Sequence, residues 1–372
     1  MSHWHPVLYK NKGKKDGIPD DILNNALAVA EKINPRMPII LSLKHLAYIT
    51  DIEYRTLRAF IERIGTPYRN FAIRKRSGGF RLISVPCLRL LQVQRWIDKF
   101  ILRNLDKSNY SFAYESGRKI KDCASLHLGC KWLIKIDLRD FFQSLSEIQV
   151  YQVFKKQGYS ELISLELARL CTITYRISSG KYRNKYWISH IKKYKFYSEK
   201  RIGNLPQGAP TSPRLSNAIL FDFDKEVASI ANELNLVYTR YADDIALSTI
   251  NNDFSRESAM RLIRKIFNIL PKYGLKPNHQ KIQIIPPRSR KIVLGLLVDS
   301  EKVHLPKDFK NNLECHLFYS SKNPVNHAVK RNFRSVFGLK NYITGLLAYT
   351  KSIDPEYYQK LAKKNLIPTW PI

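Results

Sequence analysis

Apolar and polar residues alternate along several stretches in the middle of the chain, and this pattern predicts β-strands. Residues 71–86 predict a hairpin whose turn is Ser77-Gly78-Gly79. Residues 132–138 predict a strand that carries Asp137 near its end. Apolar, β-prone residues also flank Tyr241-Ala242-Asp243-Asp244, which predicts a strand, a tight turn and a second strand with both acids at or beside the tip.

Apolar residues recur at helical spacing elsewhere in the chain. The predicted helices cover residues 88–105, 148–171, 213–236 and 257–270, with further helical segments between 20 and 64 and from 305 onward. Residues 274–285 predict a turn and a strand, and Gly295 breaks residues 292–298 into a strand pair or a bend. Alternating strands and helices, followed by a helical tail, predict an α+β fold with a small all-α region.

The charge of the chain indicates a polyanionic partner. Its 372 residues are 44% hydrophobic, which is ample for a sizeable core and more than one domain. They include 63 Lys and Arg against 31 Asp and Glu, a formal net charge of +32. The basic residues are spread along the whole chain, so a nucleic-acid track fits better than a local anchor on an anionic membrane, and binding should depend strongly on salt.

The five cysteines are odd in number and include no Cys-x-x-Cys pair, which favours reduced thiols over a disulfide or zinc site. The N-terminal residues are polar and basic and predict no signal peptide. No run of about 18 apolar residues predicts a transmembrane helix. We therefore expect a cytoplasmic protein with no membrane partner.

Residues 173–203 interleave cations with aromatic side chains. One interpretation is a solvated, insertion-like hairpin. The other is a surface that pairs phosphates with cations and stacks bases on aromatic rings. The candidate RNA contacts in this segment are Lys185, Lys192 and Lys193.

Asp137 can meet the acids of the predicted hairpin if the two strands are neighbours. Two Mg²⁺ ions held about 3.5–4 Å apart need shared carboxylates, and Mg²⁺ prefers oxygen ligands. One ion can lower the pKa of an attacking 3′-hydroxyl while the other neutralises a leaving pyrophosphate. Taken singly, the Asp243-Asp244 pair also suits a solvated turn, and Asp137 also suits a helix N-cap.

Residues 205–217 predict a stiff loop followed by a helix. Gln207-Gly208 permits close backbone approach, and Ser212-Pro213 predicts an N-cap and a first helical residue. Such a segment could form a floor under a base pair, although it could also be an ordinary loop–helix junction.

These motifs stand in the order found in reverse transcriptases. The resemblance covers roughly residues 65–300 and rests on six motifs. They are Arg81-x-Ile83-x-x-Pro86, Asp137-x-x-x-Phe141-Phe142, Leu205-Pro-Gln-Gly-x-x-x-Ser212-Pro, Tyr241-Ala-Asp-Asp, Gly274-Leu-x-x-Asn278-x-x-Lys281 and Ile292-Val-Leu-Gly-Leu296.

The resemblance implies an RNA-directed DNA polymerase, a nucleotidyltransferase with a right-handed polymerase fold. It implies an N-terminal helical region (1–64), fingers (65–130), a palm with the antiparallel sheet (131–300) and a helical thumb (301–372). By position, Asp137, Asp243 and Asp244 would be both the catalytic residues and the ligands of two Mg²⁺ ions, with Mn²⁺ as an alternative metal.

The resemblance also implies contacts to the incoming dNTP. Phe142 stands where the family carries an aromatic steric gate against the ribose 2′-hydroxyl. Lys75, Arg76 and Arg81 would meet the triphosphate, and Gln207 and Gly208 would line the nascent pair. Lys281 would lie on the pyrophosphate side, or be an ordinary surface lysine.

Within the family the chain looks most like bacterial retron reverse transcriptases. It has no room for a ribonuclease H, integrase or HNH domain, and Tyr114-x-x-Gly117 followed by Cys123-Ala124-x-x-His127 resembles a retron pattern. The chain departs from that pattern at Cys123, where retron enzymes carry Asn, and at Leu294, where they typically carry Thr.

A retron enzyme would bind a structured non-coding RNA, prime from the 2′-hydroxyl of a guanosine and make an RNA–DNA hybrid (msDNA). An effector (toxin) protein would be its partner in anti-phage defence. Besides the lysines of the 173–203 segment, the candidate RNA contacts are His127, Lys330, Arg331 and Arg334. His127 could instead be a packed or capping histidine.

Two alternatives remain open. The chain could be a non-retron bacterial reverse transcriptase, either defence-associated or intron-encoded. It could also be a catalytically silent RNA-binding scaffold. An RNA-templated RNA polymerase is a further option, against which Phe142 argues.

Overall fold

The computed structural model describes residues 5–75, 78–174 and 202–363. Its N-terminal part is helical, as the apolar spacing predicts. Ser42 begins the third helix, because its hydroxyl accepts a hydrogen bond from the His45 amide. The four helices are α1 (Pro6–Lys15), α2 (Asp20–Glu31), α3 (Leu43–Thr50) and α4 (Tyr54–Glu62).

The hairpin predicted at residues 71–86 is confirmed. It consists of β1 (Tyr68–Arg74) and β2 (Phe80–Pro86), which pair antiparallel. Gly78 and Gly79 both have positive φ, 85° and 76°, which explains why glycines occupy this turn. The next element is α5 (Leu88–Phe100), the helix predicted from residue 88.

The strand predicted to carry Asp137 is confirmed, and two short helices flank it. The strand is β3 (Trp132–Asp137), preceded by the short helix α6 (Ile120–Ser125) and followed by α7 (Phe141–Ser144). The helical pattern of residues 148–171 corresponds to α8 (Glu147–Lys156) and α9 (Glu161–Cys171).

The single helix predicted over residues 213–236 is wrong, because the structure has α10 (Ser212–Ile219) and α11 (Phe221–Glu233). The break is at Leu220, whose ψ of 11° departs from helical geometry. The apolar pattern hides it, since a one-residue break without Gly or Pro leaves no signal. Ser212 is a helical residue with Thr211 as its N-cap, and the Ser212 hydroxyl donates instead to the Pro206 carbonyl (2.7 Å).

Four antiparallel strands form the sheet that carries the candidate acids. After β3 come β4 (Val237–Tyr241), β5 (Asp244–Thr249), α12 (Arg256–Ile269) and β6 (Gln283–Ile285). The strand order is β4-β5-β3-β6, so β5 and β3 are neighbours. A separate small hairpin, β7 (Ile292–Val293) and β8 (Leu296–Leu297), confirms a strand pair around Gly295.

The C-terminal part is helical, as predicted. It contains α13 (Lys307–Lys322), α14 (Pro324–Lys330), α15 (Val336–Ile353) and α16 (Pro355–Lys363). A cluster of buried residues joins these helices to the small hairpin and to the β3–β5 face, through Leu317, Leu296, Leu133 and Ala246. The α+β class is therefore confirmed, while the boundaries 1–64, 65–130, 131–300 and 301–372 stay predictions.

Two further sequence-level expectations concern thiols and membranes. Cys87, Cys123, Cys130, Cys171 and Cys315 are all unpaired. Among the helices of the described ranges, none combines the length and the apolar composition that crossing a bilayer requires.

A fully buried ion pair lies beneath the Tyr241–Asp244 turn. Arg240 and Asp224 both have 0% side-chain exposure, and two bonds join them, Nε to Oδ1 (2.6 Å) and Nη2 to Oδ2 (2.8 Å). The Tyr238 hydroxyl also donates to Asp224 (2.8 Å). Burial by itself would lower the pKa of Arg240, but the charge and hydrogen bonds of Asp224 raise it. Strand β4 is thereby tied to α11 by a charge pair that excludes water.

Replacing Asp224 with Ala should remove the counter-charge of this buried guanidinium. We expect the free energy of unfolding to fall by about 3–5 kcal/mol, measured by urea denaturation. Asp222→Ala is a matched control on the same helix, because Asp222 pairs with Lys156 at 3.0 Å where both side chains are more than half exposed. That variant should lose less than about 1 kcal/mol. Equal losses in the two variants would contradict the prediction.

Candidate active site

The register of the central sheet brings two of the three candidate acids together. Asp137 at the end of β3 pairs directly with Asp244 at the start of β5, so both side chains project from the same face of the sheet. Asp243 lies in the turn before β5, where Ala242 has a left-handed φ of 56°. The Leu138 amide donates to the Asp243 carbonyl (2.9 Å), so the turn itself is attached to the end of β3.

Electrostatic repulsion acts among these carboxylates. Burial raises the pKa of Asp243, and the charges of Asp244 and Asp137 raise it further. Burial also raises the pKa of Asp244, where Asp137 adds repulsion and Lys135 opposes it. Each acid is therefore easier to ionise when a cation is nearby, which is the electrostatic signature of a cation site.

The segment after Gly274 supplies the partners of Asp137. The Lys281 ammonium donates to Oδ2 of Asp137 and the Asn278 amide group donates to Oδ1, both at 2.9 Å. The Asn278 backbone amide also donates to the Asp137 carbonyl (2.8 Å). The hydrogen bond from its own ammonium to the Asp137 carboxylate raises the pKa of Lys281. Lys281 is thus placed on a candidate metal ligand, a contact that sequence reasoning did not anticipate.

The donor set suits a hard divalent cation. Asp137, Asp243 and Asp244 offer only oxygen ligands, as Mg²⁺ prefers. Within the part of the chain that the structure describes, no three His, Cys, Asp or Glu side chains are grouped so that they could hold a metal ion. An ammonium nevertheless sits on Asp137, and the carboxylates repel one another. On both grounds the residues fit a divalent metal.

Phe142 lies in α7, beyond the end of β3, and contacts two other rings. Its ring centroid is 5.2 Å from that of Phe141 and 6.2 Å from that of Tyr114. The Tyr114 phenol has a pKa raised first by burial and then by the charge of Asp243. Tyr114 was predicted only as part of a motif, and the structure sets its ring against Phe142 and within electrostatic reach of Asp243.

The close backbone approach predicted for Gln207-Gly208 is made to β2. The Ser84 amide donates to the Gln207 carbonyl (2.7 Å). Gly208 has a φ of 121°, and a Cβ there would lie 2.9 Å from the Ser84 carbonyl oxygen. A side chain at this position would therefore force the loop away from the β1–β2 hairpin.

The remaining nucleotide-binding candidates lie on that hairpin. Lys75 and Arg81 are exposed. The charge of Arg81 lowers the pKa of Tyr114, so Arg81 lies within electrostatic reach of the tyrosine that contacts Phe142. Arg76 lies outside the described residues.

The prediction of His127 as an RNA contact is wrong, because it is a packed histidine with 1% exposure. Its Nδ1 bonds the Ser248 hydroxyl and its Nε2 bonds the Thr239 hydroxyl, both at 2.7 Å. Both ring nitrogens are occupied inside the protein, so no polar atom is left for a ligand. Burial lowers the pKa of His127 to about 4.

The other candidate RNA contacts fall into two groups. Lys330, Arg331 and Arg334 are exposed at the end of α14 and in the segment that follows it. Lys185, Lys192 and Lys193 lie outside the described residues.

Comparisons with known proteins agree on one family. Residues 73–298 match the family model described as reverse transcriptase (RNA-dependent DNA polymerase). The retron Ec73 reverse transcriptase of Escherichia coli is 30% identical over 82% of this chain and 89% of that protein. The retron Ec86 reverse transcriptase of the same species is 29% identical over 88% of this chain and 89% of that protein.

Other matches are more distant. The retron Mx65 reverse transcriptase of Myxococcus xanthus is 26% identical over 96% of this chain and 77% of that protein. Among solved structures, apo telomerase from Candida tropicalis aligns with a TM-score of 0.43 and 15% identity, covering 77% of this chain and 57% of that one.

The burial of His127 predicts a pH dependence of stability. Its pKa falls from an ordinary 6.5 in the unfolded chain to about 4 in the folded protein. The stability that depends on a neutral His127 is therefore fully present above pH 6.5 and is lost as the pH falls towards 4. Between about pH 7 and about pH 5 this should remove about 2 kcal/mol from the free energy of unfolding.

His127→Gln should flatten this part of the stability curve, measured by urea denaturation at each pH. His5→Gln is the control, since His5 is exposed and should leave the curve as in the unmodified protein. A curve unchanged by His127→Gln would refute the neutral, packed state of this histidine.

Proposed function

The chain belongs to the reverse transcriptase family and resembles its retron members over most of its length, and we propose that it copies part of a structured non-coding RNA into DNA. Its α+β architecture, with an antiparallel sheet and a helical C-terminal part, is that of the family's polymerase fold. RNA-directed DNA synthesis is accordingly its reaction. The observation that carries the proposed site is the register that sets Asp137 opposite Asp244 beside the Asp243 turn.

We assign the catalytic role to these three acids. Asp137, Asp243 and Asp244 would hold two Mg²⁺ ions, or Mn²⁺ in their place. When bound, such ions lower the pKa of the primer hydroxyl and neutralise charge on the leaving pyrophosphate. The protein's own contribution is positional, because strand pairing sets Asp137 and Asp244 and the Leu138 amide anchors the turn that carries Asp243.

The nucleotide would lie between the acids and the β1–β2 hairpin. Lys75, Arg76 and Arg81 would meet its triphosphate, and Gln207 and Gly208 would border the nascent pair from the loop that packs on β2. Phe142 would exclude the ribose 2′-hydroxyl by its bulk, which selects dNTPs. Lys281, already on Asp137, would face the pyrophosphate side.

The RNA partner is proposed from charge. The net charge of +32 favours a long phosphate track, and exposed Lys330, Arg331 and Arg334 are candidate contacts in the C-terminal helices. The lysines of residues 173–203 remain candidates on sequence grounds. By analogy with the retron relatives, the product would be an RNA–DNA hybrid (msDNA), and an effector (toxin) protein would complete an anti-phage system in the cytoplasm.

The second candidate is a non-retron bacterial reverse transcriptase. Two departures from the retron pattern favour it. Cys123 is buried with its thiol on Thr239, which also bonds His127, and Leu294 occupies the β7–β8 turn with a left-handed φ of 50°. The two candidates differ in product, because priming from a 2′-hydroxyl leaves a branched molecule.

The double variant Asp243→Asn with Asp244→Asn should abolish DNA synthesis and keep RNA binding. Loss of the carboxylates that hold the metals should cost several kcal/mol of transition-state stabilisation, a fall in extension rate of more than about 1,000-fold. Nucleic acid co-purified from the host should contain 2′,5′-branched RNA–DNA with the unmodified protein and RNA alone with the variant.

Asp253→Asn is the matched control for this experiment, because Asp253 is an exposed acid just beyond β5. It should give the branched product. Extension by the double variant would contradict the catalytic assignment. Linear DNA in place of the branched molecule would contradict the retron product but leave the polymerase intact.

Replacing Lys330, Arg331 and Arg334 with Gln should weaken RNA binding and reduce its salt dependence. If each cation meets one phosphate, the slope of log affinity against log salt should fall by about 2, measured by filter binding. Lys12, Lys14 and Lys15 of α1 provide a control that removes the same charge from another exposed surface. Equal slopes for the two triple variants would argue against a specific contact at the C-terminal helices.

A further inference from the structure

Tyr114 has a place in the structure that the proposed function leaves unexplained. Its ring contacts the Phe142 ring, with 6.2 Å between the centroids and 40° between the planes. Phe141 contacts the same Phe142 ring at 5.2 Å and 64°. The proposed gate is therefore held by an aromatic neighbour from its own helix and by one from a segment far upstream in the chain.

The surroundings of Tyr114 locate it at the active site. Burial raises the pKa of its phenol, the charge of Asp243 raises it further, and Arg81 on β2 lowers it. The ring thus lies within electrostatic reach of the acidic turn and of the hairpin proposed to bind the triphosphate. Tyr114 is still 40% exposed, so part of its surface remains open to solvent.

The backbone at Tyr114 is strained, and its neighbours hold it there. Its φ of 64° lies in the left-handed region, which a bulky aromatic residue rarely adopts. The Ala113 carbonyl accepts from Asn217 (2.8 Å), and the Phe112 amide donates to the Arg240 carbonyl (2.9 Å). Strain that is maintained by fixed neighbours is typical of functional positions.

The contact with Phe142 is made by the ring of Tyr114. Within the described residues, its hydroxyl makes no hydrogen bond. A tyrosine kept in a strained conformation without a hydrogen-bonded hydroxyl is best explained by what its ring touches.

We propose that Tyr114 is a positioning residue for nucleotide selection, whose ring holds Phe142 in the orientation that excludes the ribose 2′-hydroxyl. The inference rests on the proposed function, since it needs Phe142 to be the gate. Without Tyr114, the Phe142 ring could turn towards the vacated space and admit a ribonucleotide. Tyr114 therefore acts on selectivity through Phe142 and needs no contact with the substrate.

Two substitutions separate the ring from the hydroxyl. Tyr114→Asn removes the ring, and Asn is well suited to a left-handed φ, so the fold should be kept. Tyr114→Phe keeps the ring and removes only the hydroxyl. Urea denaturation of both variants should show the same single cooperative transition as the unmodified protein, which establishes that the fold is kept.

The measurement is kcat/KM for dCTP and for CTP on one RNA template and primer. Tyr114→Asn should lower the dCTP/CTP ratio by about 3- to 10-fold, the range expected from loss of an aromatic contact, mainly by lowering KM for CTP. Tyr114→Phe should leave the ratio unchanged. Phe142→Ala should lower it more, and adding Tyr114→Asn to Phe142→Ala should have no further effect.

Each outcome bears on a different claim. An unchanged ratio in Tyr114→Asn, when Phe142→Ala lowers it, would overturn the role of Tyr114 and leave the gate intact. Additive effects in the double variant would overturn action through Phe142. An unchanged ratio in Phe142→Ala would overturn the gate assigned in the proposed function, and the role of Tyr114 with it.

Discussion

The buried pair of Arg240 and Asp224 is the interaction on which the arrangement of the site depends. Burying two charges is costly, and it is tolerated here because the pair is doubly hydrogen-bonded and Tyr238 satisfies the same carboxylate. The Arg240 guanidinium also donates to the Ala242 carbonyl (3.3 Å), within the turn that carries Asp243. The backbone of Arg240 forms hydrogen bonds with the Tyr110 carbonyl and the Phe112 amide, in the segment that leads to Tyr114. One residue thus connects the acidic turn, helix α11 and the loop behind the proposed gate.

That anchoring matters because the site works against electrostatic repulsion. Three carboxylates are brought to one end of the sheet, and burial with mutual charge raises the pKa of both Asp243 and Asp244. Strand pairing and the contacts of Asn278 and Lys281 keep Asp137 in place despite this cost. The same repulsion would favour binding of the cations that the proposed two-metal chemistry needs, because a bound cation offsets the charge of the carboxylates.

The segment between Tyr110 and Cys130 interacts with the β4–β5 hairpin through two of its residues. Tyr114 lies within electrostatic reach of the Tyr241–Asp244 turn, while His127 bonds Thr239 and Ser248 on the two strands themselves. The histidine of the retron-like motif is therefore part of what holds this segment on the sheet. Cys123, the departure from that motif, is buried nearby with a pKa raised by burial to about 11, so it adds no charge there.

Local patterns in the sequence were sufficient for the strands, the two hairpins and most helices, because alternation and turn chemistry record which face of a short segment is buried. They also drew attention to the three acids beside the ends of β3 and β5, whose catalytic role stays a prediction. They could not show the break at Leu220, where no Gly or Pro marks it, nor that His127 points inward, since spacing does not reveal burial. The Lys281–Asp137 and Tyr114–Phe142 contacts join segments far apart in the chain. Only tertiary packing decided them, because which distant side chains meet depends on how whole elements pack together.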